Sequence, residues 1–249
     1  MKQAAPRNLS AFTIIEMLII ITVLMVLAVM LLPALRRPHV GGGPSCFSNL
    51  KEIGVAYRMW AGDNGDMVPA QQAVSKGGWK ELLNNPDQGP ICWTNYVIMS
   101  NEFGQNSIGL VCRSDDRLPV SSFTNIFDNT HISYFVGVSA RENDPQSILA
   151  GDRNLGPGNK PDPDYGFSPK NGKGNDVAVP ISRPVSWSLK MHSRGNPPSG
   201  AGNVLLGDGS AQQTSTASFN VDWLRKADPT TNWPAGHIPA VPSIRLVFP

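Results

Sequence analysis

The chain has 249 residues, 41% of them hydrophobic and 16% charged, with a formal charge of +2. That size suits one domain of about 200 residues beside one apolar segment. Lys2 and Arg7 account for the surplus charge, so nothing in the balance argues for nucleic acid or an anionic membrane surface as a partner, and no nucleic acid is expected. Three cysteines are too few and too scattered for a metal ribbon, and 24 glycines with 22 prolines mark a loop-rich domain.

Met1 to Ala11 is a short basic leader without an acid, and Phe12 to Leu35 follows as an apolar run whose single charge is Glu16. As a helix this run would span roughly 36 Å, against about 30 Å of hydrocarbon, so lipid is the expected surrounding. A carboxylate deep in lipid costs on the order of 2.5–3.5 kcal/mol and calls for a partner. Cleavage before Phe12 would create an α-amino group four residues ahead of Glu16, on the same helical face. Arg36 and Arg37 at the far end leave orientation open by charge alone.

This combination resembles the class III signal of type IV prepilins and type II secretion pseudopilins. The matching residues are Phe12, Thr13, Ile14, Ile15, Glu16 and Pro33. The resemblance implies cleavage between Ala11 and Phe12 by a prepilin peptidase, then methylation of Phe12. It also implies assembly with other pilin or pseudopilin subunits, Glu16 setting the register and Pro33 allowing a kink. The inner membrane would hold the single-pass chain before assembly, with its head in the periplasm. The family prefers Gly where this chain has Ala11. The expected organisation is a leader at 1–11, a transmembrane and assembly helix at 12–37, a Gly/Pro hinge at 38–44 and a head at 45–249. The expected fold is α+β and pilin-like, a long hydrophobic N-terminal helix followed by a helix packed on a mainly antiparallel sheet.

After the hinge, with Ser45 as a candidate cap, Cys46, Leu50, Ile53, Tyr57 and Trp60 recur at spacings of four and three, predicting a helix that Gly62 to Asp66 ends. The block resembles one in large pilin-like proteins of planctomycete-type bacteria, through Cys46, Asn49, Leu50, Lys51, Ile53, Gly54, Asp63, Asn64, Gly65 and Pro69. Strands are expected at Ile91 to Met99, Ile108 to Cys112, Ile132 to Val138, Ser147 to Gly151 and Val177 to Ile181. Asn154 to Asp176 reads as a long surface loop. Asp208-Gly209 between Val204 to Gly207 and Ser210 to Thr214 predicts a type I′ hairpin. Ser218 is a candidate cap for a short helix, and the terminal IRLVF reads as an edge strand or a segment packed across the head.

Little chemistry stands out. His192 with Asp208 and Gly209 downstream resembles the terminal motif of the same family; it reads either as a His–Asp site or, preferably, as a hydrogen bond holding a hairpin to its loop. His39, His131 and His237 lack metal-ligand spacing, Ser139 lacks the nucleophile-elbow pattern, and Gly41 to Gly43 is not a phosphate loop. No catalytic residue, cofactor or metal is assigned. Calcium, which some resembling pseudopilins hold, has candidate oxygens in Asp162, Asp164, Asn175 and Asp176, for which solvated loop acids are the default reading. In an oxidising compartment Cys92 and Cys112 are the favoured disulfide pair, against three buried thiols. A structural subunit and an anchored periplasmic enzyme or binding protein are the two functions weighed. The second would need a convergent polar pocket.

Overall fold

A computed structural model describes residues 13–35, 46–84, 92–124, 126–141, 144–193, 199–227 and 243–249, the side chains of 28–35 and 84 excepted. The chain divides into two units, Met1–Gly43 and Pro44–Pro249. The expected leader with Ala11 and Phe12, the hinge at 38–44, and the cap at Ser45 lie outside the described residues.

The first unit contains helix α1, Ile14–Leu35, which continues through Pro33. Its side chains are described from Ile14 to Leu27, and all of these are exposed. Among the described residues no helix is long and apolar enough to cross a membrane. This corrects the reading of a long hydrophobic N-terminal helix spanning a bilayer, and with it the single-pass inner-membrane location.

The second unit is α+β. Helix α2, Cys46–Asp63, buries the stripe Cys46, Leu50, Ile53, Tyr57 and Trp60 and exposes Lys51, Glu52 and Arg58. It closes where Gly65 (φ 69°) and Asp66 (φ 59°) turn left-handed and the Asp66 N–H reaches the Ala61 carbonyl at 2.9 Å. Strands β1 (Tyr134–Gly137), β2 (Ile148–Asp152), β4 (Asn175–Pro180), β6 (Ala201–Leu206), β7 (Ala211–Ser215) and β8 (Ser243–Phe248) form one antiparallel sheet in the order β4-β8-β1-β2-β6-β7. Strands β3 (Leu155–Pro157) and β5 (Val185–Trp187) pair separately. The sheet has a core on each face. Tyr134, Val136 and Leu205 meet the helices, while Phe135, Val204, Leu206, Leu246 and Phe248 meet Trp187, Phe219 and Leu224. With a core on each face, every residue of β1 and β2 is buried.

Several expectations change. Ile91 to Met99 is not a strand: Cys92–Ile98 is helix α3. Cys92, Asn95, Tyr96 and Met99 are all fully buried, a helical spacing, and the Asn129 side chain accepts the Trp93 N–H at 3.0 Å at the helix start. Tertiary packing outweighs the β propensity of that text. Ile108–Leu110 is a 3-10 turn. The loop after Asn154 is not purely surface, since Leu155, Tyr165 and Ser168 are buried. IRLVF in β8 lies inside the sheet, between β4 and β1, and is not an edge. The short helix α4, Val221–Lys226, is capped by Asn220, which accepts the Trp223 N–H, and not by Ser218.

Candidate functional site

The polar centre of the second unit gathers where β2 ends beside β6. Asp152, fully buried, pairs across the ladder with Tyr134. Its Oδ2 accepts both the backbone and side-chain N–H groups of Asn203 at 2.7 Å and lies 3.2 Å from His192 Nε2. Its Oδ1 is buried without a hydrogen-bond partner among the described residues, as are Asn154 Oδ1 and Asn203 Oδ1. The segment bearing His192 is held by Asn154, whose side-chain amide donates to the Lys190 and Ala201 carbonyls at 3.0 Å. Met191, immediately before it, sits at φ 61°. A side chain so large costs on the order of 1–3 kcal/mol there, and such strain gathers at functional positions.

The same His192 Nε2 is 3.5 Å from Cys112 Sγ. Cys112 is bonded to Cys46 across 66 positions with Cα atoms 5.0 Å apart. This corrects the favoured Cys92–Cys112 pair. Cys92 is buried, its thiol 3.6 Å from the Tyr134 carbonyl, and burial pushes its pKa up, so it is an inert core group. Cys46 Sγ, Cys112 Sγ and a His192 ring nitrogen lie within 4.8 Å of one another, a grouping that could hold a metal ion.

His192 and Asp208 are not joined by any described contact. Asp208, exposed, accepts the Ser210 N–H at 2.8 Å and, on its carbonyl, the Arg58 guanidinium. The hairpin is not type I′. Only Gly209 (φ 77°) is left-handed, the Gly209 N–H bonds Leu206 O at 2.8 Å, and Leu206 N–H bonds Ser210 O at 2.9 Å. That is a three-residue loop with a bulge. A β-carbon on Gly209 would lie 2.6 Å from Arg58 Nε, and one on Gly54 would lie 2.8 Å from Leu205, so both glycines let α2 approach the hairpin.

The residues named as candidate calcium ligands make other contacts. Asp162 accepts the Asp164 N–H at 2.7 Å, Asp164 pairs with Lys170, Asn175 donates to the Phe167 carbonyl at 2.9 Å, and Asp176 pairs with Arg245. His131 completes a capping box with Asp128, and Ser139 Oγ accepts the Arg245 N–H at 3.1 Å. His39 and His237 lie outside the described residues. Asp152 and Asn203 were invisible to motif reasoning because pairing of β2 with β6, over 51 positions, is what unites them.

In the first unit, Glu16 has a local partner. Its Oε2 accepts the Thr13 N–H and hydroxyl at 2.8 Å, and the Glu16 N–H reaches Thr13 Oγ1 at 3.3 Å. This reciprocal pattern is a capping box at the start of α1. The same bonds from Thr13 lower the Glu16 pKa.

No family model matches the chain, and no curated protein or solved structure is similar enough to count as a match.

Proposed function

We propose that this chain is a structural subunit of the pilin and pseudopilin kind, which polymerises by packing its first helix against copies of itself. The observation that carries the reading is the surface of α1. From Ile14 to Leu27 every side chain is exposed, and all but Glu16 and Thr22 are apolar, around the whole circumference. A helix apolar on all sides needs a cover. Neighbouring copies provide one: each Val, Leu or Ile fully buried contributes about 1.5–3 kcal/mol. Several such residues offset an association cost of about 4–15 kcal/mol.

In this reading a prepilin peptidase cuts between Ala11 and Phe12, and the new Phe12 amine of one subunit pairs with Glu16 of another. The capping box supplies a sharper test than simple deletion. Gln at the third helical position preserves the box but removes the charge. We expect Glu16→Gln to leave α1 helical and abolish filament formation, scored by sedimentation and electron microscopy. Normal filaments from Glu16→Gln would reduce Glu16 to a cap. Intact mass of protein from its host tests processing: a chain beginning at methylated Phe12 supports the reading, and a chain beginning at Met1 overturns it.

A further inference from the structure

We propose that Cys46, Cys112 and His192 form a redox-gated zinc site, closed while the two cysteines are bonded and opened when they are reduced. Tetrahedral zinc with Zn–S near 2.3 Å and Zn–N near 2.0–2.1 Å sets sulfur and nitrogen about 3.5 Å apart. His192 Nε2 is 3.5 Å from Cys112 Sγ and 3.2 Å from Asp152 Oδ2. Cys46 Sγ falls within the same 4.8 Å group.

The surroundings favour a cation over a disulfide alone. A disulfide sulfur is a weak acceptor, and one imidazole nitrogen carries at most one proton to share between sulfur and carboxylate. Asp152 is fully buried, and one of its two oxygens has no hydrogen-bond partner among the described residues. A buried carboxylate under-used in this way is costly unless a positive charge lies near. The two Asn203 N–H groups on Oδ2 orient the carboxylate as the shell around a metal does. His192 retains 12% side-chain exposure, which gives an ion a way in.

The chemistry balances with a dithiol as reductant. The Cys46–Cys112 bond breaks, the dithiol gives two electrons and two protons and becomes a disulfide, and two thiols are freed. Zn²⁺ then displaces both thiol protons to solvent and bonds the two thiolates and the His192 Nε2 lone pair. The Asp152 carboxylate stands beside that nitrogen but outside the group of three, and a water completes the four ligands.

The test uses the full chain, reduced with a phosphine or left oxidised, titrated with Co²⁺ and then competed with Zn²⁺. Reduced protein is expected to bind one equivalent with thiolate-to-cobalt charge-transfer absorption, and the oxidised protein to show none. His192→Gln should weaken binding at least 10-fold, and Asp152→Asn about 10- to 100-fold. Because Cys46→Ser removes a cross-link and can unfold the chain, X-ray absorption of the zinc-loaded wild type serves as the second measurement. Two sulfur scatterers with a nitrogen or oxygen shell are expected. A zinc shell without sulfur, or equal cobalt affinity in wild type and His192→Gln, overturns the proposal.

Discussion

Arg153 is 3% exposed, and a guanidinium that deep needs its charge matched. Its Nε and terminal nitrogen meet both Asp115 oxygens at 2.7 Å, Asp116 adds a third bond at 2.8 Å, and the group lies over the Tyr165 ring at 3.3 Å. Burial alone would raise the Asp115 pKa, but the hydrogen bonds and charge of Arg153 outweigh it and hold the carboxyl well below the usual range. A depressed folded-state pKa contributes stability in full above the unfolded value, near 3.9, and loses it as pH falls through the folded value. Urea midpoints should therefore drop from pH 5 to pH 3 more steeply in wild type than in Asp115→Asn. At pH 7 that variant should lose about 3 kcal/mol, the lower end for a broken buried pair, because Asp116 remains. Gly202 offers a second check at this scale. A β-carbon there would stand 2.3 Å from the Trp187 ring, whose Nε1–H donates to Thr214 Oγ1 at 2.8 Å. Gly202→Ala should cost about 1–3 kcal/mol by overpacking, read from denaturant unfolding and Trp fluorescence.

Among the elements, α2 was legible because its stripe has one buried face, and β6–β7 because Asp208-Gly209 marks a turn. The turn type was not legible, since Arg58 from α2 presses on the loop and only Gly209 is left-handed. Helix α3 escaped for a related reason: its fully buried Asn95 accepts from Trp79 and donates to Tyr57 at 2.8 Å, partners distant in sequence. His192 was singled out on its spacing to Asp208, yet its partners are Asp152 and Cys112, which only strand pairing brings near. The cross-link ties the first residue of α2 to the segment leading into β1. Closing a loop of 66 positions removes chain entropy worth on the order of 4 kcal/mol. Cys46→Ser should lower stability by about that much under oxidising conditions, whereas Cys92→Ala should cost only its packing; differential unfolding with and without reductant separates the two.

For the whole molecule, the division at Gly43 and Pro44 makes the two units separable in principle. A chain beginning at Pro44 should fold with an unfolding midpoint close to that of the full chain, because both cores of the α+β unit lie within it. It should also stay monomeric in sedimentation, while the full chain self-associates. An equally associating fragment would move the assembly surface off α1.

Strand β8 holds β4 to β1, and both of its own sides are filled. It follows the other described strands in the chain, so a ribosome still short of Ser243 carries a sheet with a slot between β4 and β1. Until Ser243–Phe248 is threaded home, that slot can accept the same strand from another chain, so crowding of nascent copies, or clipping before residue 243, favours exchange of this strand between molecules.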